Sequence, residues 1–390
     1  MKAAPTAVVV FLIPGLVQTK AASNTWVGGV NSNWDTATAN WTSPAIWVNG
    51  ANDAVFNAGS GVVNVIADIT AGSVSIAGAS DTVNITPGFT LLISPAAAAA
   101  PPWAKITGGG TLELNSAQPV NGSANWGAPA LGGGFTGTLR LDKGRINAVP
   151  ANLGGATALA IGGGAQFLGF DGTGAGTAYT FTQNLSLSGM GWGEGGQEFG
   201  ALRVSGMNAT FSGTVTLTGA TGLYTQTGSN GTMTLSGAVS DAGGGFGLAV
   251  NAYSNPVTFS GAAANTLSGV VTVNRGTLVL SKTADTAAAG SLTIAPVTGN
   301  NNTLVYATAS NQFAAGAVVA FGGTPGYYSR LELQGTTQTI AGLNDATTNG
   351  IVQNSEMGPA NAGTGTLVVN GSGNYSFAST GAGGLRNGTR

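Results

Sequence analysis

One five-residue pattern, a glycine followed by alternating apolar and polar side chains, recurs along this chain and limits what it can fold into. It reads GVVNV at 61–65, GSVSI at 72–76, GTLEL at 110–114, GTLRL at 137–141, GTVTL at 213–217 and GTMTL at 231–235. It returns as GVVTV at 269–273, GTLVL at 276–280, GSLTI at 290–294 and GTLVV at 365–369. Each copy is a short period-two strand with one apolar face and one face free to vary. In NTLSGVVTVNRGTLVLSK (265–282) two such strands are divided only by Asn274-Arg275-Gly276. Leu267, Val271, Val273, Leu278 and Leu280 then face one way, and Thr272, Thr277 and Val279 the other. Glu113, Arg140 and Glu332 each sit between two leucines, so the alternation places their charge on the outer face.

Strands written this often, with no linker-like shift in composition between them, predict a repeat architecture. An array of antiparallel sandwiches is the structural competitor, because it too shows short strands at close spacing. The glycine and asparagine corners and the repeated Val, Leu and Ile of the inner face favour a β-solenoid, in which stacked coils bury one continuous apolar column. Strand, corner, strand is then one portion of a coil. Coils of roughly 20 to 25 residues, spaced about 4.8 Å apart, predict a rod of roughly 70–90 Å. The expected organisation is a leader at 1–22, a tryptophan-rich capping segment at 23–57, and a single elongated repeat domain at 58–390.

Composition narrows the chemistry. Charged residues are 7% of the chain against 43% hydrophobic, which excludes disorder driven by charge and low hydrophobicity. The net charge is −2 and the basic residues are scattered, so there is no stripe to neutralise phosphates and nucleic acid is excluded as a partner. The chain has no cysteine and no histidine. Ser-His-Asp and Cys-His machinery and thiolate metal sites are therefore excluded, and no cofactor is expected. The opening MKAAPTAVVVFLIPGLVQTKAA has Lys2, an apolar run from Ala7 to Val17 and small residues at Ala21 and Ala22. That is the layout of a secretory signal peptide, which predicts export.

Four candidate sites remain. Trp26, Trp34, Trp41 and Trp47 lie close in sequence beside Asp35 and Asp53. They read either as a cap over the first coil, where bare strand edges and core need covering, or as an indole row that stacks on sugars. Glu194 and Glu198 in GMGWGEGGQEFG (189–200), with Trp192 and Phe199, are the best carboxylate pair for glycoside hydrolysis; the simpler reading is a solvated loop protruding from its coil. Asp171 in FDGTGAG reads as a turn residue. Arg140, Asp142, Lys143 and Arg145 form the densest charge cluster and read as a solubilising strand edge.

TFSGAAANTLSGVVTVNRGTLVLSK (258–282) resembles the autotransporter-associated β-strand repeat, also called the passenger-associated transport repeat. FAAGAVVAFGGTPGYYSRLELQGTTQTIAGLND (313–345) is similar to the usual continuation of that repeat, and GTGTLVVNGSGNYSFASTG (363–381) to the module after it. TWVGGVNSNWDTATANWTSPAIWVNGANDAVF (25–56) resembles the tryptophan-rich start of such surface proteins. The resemblance implies a right-handed parallel β-helix from the passenger of a Gram-negative exported protein. That family follows its passenger with a membrane β-barrel or a sorting tail. This sequence ends at GGLRNGTR without either pattern, so the expectation is a fragment whose repeats continue.

The functional expectation is a non-catalytic, monomeric surface rod of structural or adhesion type. Its partners would be extracellular glycans or neighbouring cell surfaces, with membrane contact only through an anchor outside this chain. The alternative is a carbohydrate-binding or polysaccharide-degrading β-helix.

Overall fold

The computed structural model describes residues 22–95, 100–116, 125–194, 197–226, 230–253, 255–284, 286–297, 302–324, 326–345, 347, 349–354, 363–379 and 384–386. The leader expected at 1–22 lies outside these apart from Ala22.

The chain is an all-β parallel solenoid of about 11 turns. Each turn has three walls, built from strands that are three to six residues long for the most part, and each strand pairs with its equivalents in the coils before and after. Along the first wall Ile69–Ala71, Thr90–Ile93, Thr111–Leu114, Thr138–Leu141, Ala158–Ile161 and Asn184–Gly189 follow one another in register. The second wall runs through Gly144–Ala148, Ala165–Phe170, Leu202–Ser205, the end of Val215–Thr225, Leu248–Ala252 and the start of Val271–Lys282. The third wall runs through Thr177–Phe181, Met207–Phe211, Met233–Leu235, Val257–Gly261, the end of Val271–Lys282 and Asn302–Ala307. Among the described residues every strand-to-strand pairing is parallel except one hairpin, Gly193–Glu194 with Gln197–Glu198.

Val271–Lys282 shows how the repeat becomes a coil. Its Val271, Thr272 and Val273 pair with Leu248–Val250 on the second wall, while Leu278–Lys282 pair with Val257–Gly261 on the third. The corner lies at Asn274-Arg275-Gly276, as the sequence predicts. Gly276 has φ +69°, and a Cβ there would lie 1.4 Å from the carbonyl oxygen of Ala252 in the preceding coil. Only glycine lets the corner pass that close. Leu267, Val271, Val273, Leu278 and Leu280 are buried and Thr272, Thr277 and Val279 are half-exposed, which is the predicted division of faces.

Two expectations are corrected. About 11 turns at about 4.8 Å make a stack of roughly 50 Å, shorter than predicted, because the corners take up more residues than the motif spacing allows for. Leu139 lies 20 residues from its partner Leu159, but Leu187 lies 30 residues from Leu217. Glu332 is the second correction. The alternation does turn it away from core Leu331, yet it is fully buried, unlike the exposed Arg140. Its Oε1 accepts a hydrogen bond from Gln353 Nε2 at 2.5 Å in the next coil, and its Oε2 accepts one from Gln334 Nε2 at 3.3 Å. Acidic side chains are therefore not confined to the solvent-facing surface: the Glu332 carboxyl group is held inside by amide donors.

Candidate functional site

The four early tryptophans come together at the N-terminal end of the stack. Ser23–Thr25 pairs with Asp53–Phe56, and Asn33–Trp34 pairs with Asn64-Val65, so the first coil delivers Trp26 and Trp34 from two walls into the core column. Trp47 reaches the first wall, where its Nε1 donates to Asn49 Oδ1 at 3.2 Å and to the carbonyl of Thr70 at 3.3 Å. Trp41 touches all the other rings: its centroid is 5.2 Å from Trp26, 5.2 Å from Trp34, 4.6 Å from Trp47 and 5.5 Å from Phe56. None of the four indoles is more than 6% exposed. This is an aromatic plug, with no indole face open to a sugar.

The backbone around Trp41 also covers the edge of the first coil. Trp26 and Trp41 form an antiparallel bridge, the N–H of Val27 donates to the carbonyl of Asn40 at 2.8 Å, and the N–H of Thr42 donates to the carbonyl of Thr25 at 3.0 Å. Two buried asparagines hold this cover. Asn24 Oδ1 accepts from Thr42 Oγ1 and from the N–H of Ser43. Asn40 Oδ1 accepts from the N–H of Val30, and its Nδ2 donates to Asn31 Oδ1 and to the carbonyl of Asn33. Asp35 and Asp53 serve the same local order. Asp35 accepts from the N–H groups of Ala37 and Thr38 and from the Thr38 hydroxyl, and Asp53 accepts from Ser73 Oγ at 2.7 Å. Slight desolvation pushes the Asp35 pKa up, but those bonds outweigh it and hold the carboxyl below its usual range.

The hairpin at 189–200 folds onto the second wall, so it is more than a protruding loop. Gln166, fully buried on that wall, donates from Nε2 to the carbonyls of Phe199 and Gly200, both at 3.0 Å. Trp192 is 2% exposed and lies against the Arg145 guanidinium, 5.2 Å from the ring centroid. A Cβ on Gly191, at φ +82°, would lie 1.9 Å from the Gly200 carbonyl oxygen, which shows how tightly the hairpin base closes. Gln197 and Glu198 are exposed where its two short strands pair. There the register sets Glu194 against Gln197 and Glu198 against Gly193, so the two acids are not partners; Glu198 is exposed. Trp192, spent on packing, presents no exposed aromatic platform.

Beyond the hairpin runs a file of rings and guanidinium groups that the sequence reading missed. Arg203 lies 4.6 Å from the Phe199 ring centroid and 5.5 Å from that of Tyr224; Tyr224 packs on Tyr253 at 4.9 Å; Arg275 covers Tyr253 at 4.1 Å. Arg203, Tyr224, Asn251 and Arg275 are successive partners up the second wall. They are far apart in sequence and carry no local motif, so only the coil register could have revealed the file. Tyr253 lies between Tyr224 and Arg275, an arrangement that staples coils by stacking.

The charge cluster divides at a corner. Arg140 Nε lies 3.0 Å from Asp142 Oδ1 and 3.7 Å from Glu113 Oε2, and Glu113 and Arg140 are register partners on the first wall. Arg145 belongs instead to the second wall beneath Trp192, and exposed Lys143 contributes its carbonyl to Trp126 Nε1 at 3.1 Å. Burial raises the Glu113 pKa first, its hydrogen bond with Asp142 and the charge of Asp142 add to this, and Arg140 opposes them. Asp171 caps its own turn through the N–H and hydroxyl of Thr173, both at 2.9 Å. Among the described residues no group of three or more carboxylates is arranged to hold a metal ion. Comparison with protein-family models, with curated proteins and with solved structures found no match to the chain.

Proposed function

We propose that this chain is the rod of an exported surface protein and that its work is presentation, not catalysis. The observation that carries this reading is the parallel stack of about 11 turns with an aromatic plug at one end. Such a body is a spacer: it holds what its corners display at a fixed distance, with stability spread over neighbouring coils and concentrated nowhere. The polar, weakly charged outer walls and the exposed hairpin tip at Gln197-Glu198 are the surfaces that would meet glycans, matrix or neighbouring cells. The leader-like opening and the resemblance to passenger repeats support export and a Gram-negative cell surface. Coils that stack only after translocation would also oppose slippage of the chain back through the membrane.

The test is protease shaving of intact cells of a Gram-negative host that expresses the chain with its leader. Release of fragments from the outer surface, with periplasmic and cytoplasmic markers intact, supports the reading. Full protection from external protease, with the chain recovered in the cytoplasm, overturns it.

A further inference from the structure

The sequence scatters its arginines, but the coil register gathers three of them on one wall. We propose that the outer face of the second wall, from Arg145 to Arg275, is a docking surface for an acidic polysaccharide laid along the axis of the rod. The proposal deepens the presentation reading and rests on it for a partner outside the cell.

Six successive strands build this face: Gly144–Ala148, Ala165–Phe170, Leu202–Ser205, the end of Val215–Thr225, Leu248–Ala252 and the start of Val271–Lys282. They carry Arg145, Arg203 and Arg275 and no Asp or Glu, in a chain whose net charge is −2. The first wall differs, because its Arg140 lies against Asp142 and Glu113. A polyanion is drawn by the summed charge of a face, whatever else each guanidinium touches. Between Arg203 and Arg275 run the rings of Phe199, Tyr224 and Tyr253, each 4.9 Å from the next. Phe199, Tyr253, Arg145 and Arg275 are half-exposed, while Arg203 and Tyr224 are buried among the rings they touch. Exposed Glu198 neighbours Phe199 but alternates to the other face of its strand.

Charge complementarity selects the occupant. A guanidinium fork matches a carboxylate, and aromatic rings offer apolar surface to the C–H faces of sugars. Arg145 and Arg203 are two strands apart on the wall, and Arg203 and Arg275 three, or roughly 10 and 14 Å at about 4.8 Å per strand. A nucleic acid strand carries a charge about every 3.4 Å, so a file this sparse would leave most of its phosphates without a partner. A glycan whose carboxylates recur only at every second or third sugar suits it better.

Calorimetric titration of the purified full chain with hyaluronate, which has a carboxylate on every second sugar, tests this. Binding at low ionic strength is expected, and it should weaken as salt is added. Arg275→Gln should lower the affinity roughly two- to fivefold and flatten the salt dependence. Arg275→Lys should restore the salt dependence, and Arg140→Gln, on the first wall, should bind as the wild type does. No binding of hyaluronate at low salt overturns the proposal, as does an equal loss in Arg140→Gln and Arg275→Gln. Tighter binding of a single-stranded oligonucleotide than of hyaluronate overturns it in favour of nucleic acid. If melting curves show that Arg275→Gln does not fold, the wild type decides: binding that ignores salt, or that neutral dextran matches, overturns the proposal. None of these outcomes depends on where the chain is displayed, which protease shaving decides separately.

Discussion

Lys282 Nζ donates to the carbonyl of Gly237, 2.7 Å away and two coils earlier in the stack. Between them lies Gly261, the register partner of Lys282, which has no side chain to obstruct the passage. The same lysine is tied to the following coil: its N–H donates to Gln312 Oε1 at 2.7 Å and its carbonyl accepts from Gln312 Nε2 at 2.9 Å. One residue thus connects four coils at a corner.

That amine is 1% exposed, and burial pulls its pKa down from 10.5 to about 8. The folded state therefore holds the proton less tightly than the unfolded chain does. The mismatch works against the fold in full below pH 8 and fades as pH rises toward 10.5. Thermal denaturation of wild type and Lys282→Met from pH 7 to 10.5 checks this. The difference between the two should move in favour of the wild type across that window, and a difference that stays constant would contradict it.

Asp241 gives the opposite dependence. It is 2% exposed and accepts from the Ser268 hydroxyl at 2.7 Å and from the N–H groups of Gly243, Phe246, Ser268 and Gly269, each at 3.1 Å. Burial pushes its pKa up, but the Ser268 hydroxyl and the N–H groups of Ser268, Gly243 and Gly269 outweigh that and hold it at about 2. The stabilisation is complete above about pH 4 and is lost as pH falls toward 2. Asp241→Asn should lower the urea midpoint at pH 7, and the gap from wild type should close between pH 4 and pH 2.

Trp41, in contact with every other ring of the plug, is the most sensitive position there. Trp41→Ala should destabilise the N-terminal coils by about 3–5 kcal/mol, the usual cost of emptying a large aromatic site. Because the four indoles are buried, soluble glycans should leave tryptophan emission unchanged in the wild type. Concentration-dependent quenching that disappears in Trp41→Ala would instead restore the sugar-stacking reading.

Two glycines separate backbone demand from mere frequency. Gly276→Ala must place a Cβ 1.4 Å from a carbonyl oxygen at a positive φ, and should abolish folding of the 271–282 corner. Gly163 has no atom within 4 Å of its would-be Cβ and no positive φ, so Gly163→Ala should leave the melting temperature within a degree or two. Parallel melts of the two variants suffice.

Much of the fold was legible because its signal is local and repeated. The alternation at 269–280 specifies two faces, Asn274-Arg275-Gly276 specifies a corner, and the recurrence of the pattern specifies stacking. Packing of the four tryptophans as a cap was legible from the same logic, since an end coil needs a cover. What local pattern could not supply was register. Nothing in RLEL distinguishes Glu332 from Glu113; the difference is that Gln353 stands above Glu332 in the next coil. Nothing in GMGWGEGGQEFG shows that Gln166, more than 20 residues earlier, will fasten the hairpin to a wall. The predicted rod length was too great for a related reason, because the number of residues between register partners varies from coil to coil.

That variation has an evolutionary side. The hairpin at 189–200 is inserted between two walls of a single coil, yet Leu187 still meets Leu217 and Phe167 still meets Leu202. Stacking is indifferent to what a corner carries, so long as the strands on either side return to their columns. Corners are therefore places where lineages can lengthen, trim or exchange sequence without renegotiating the core, and related rods can diverge in what they show while keeping the same spine.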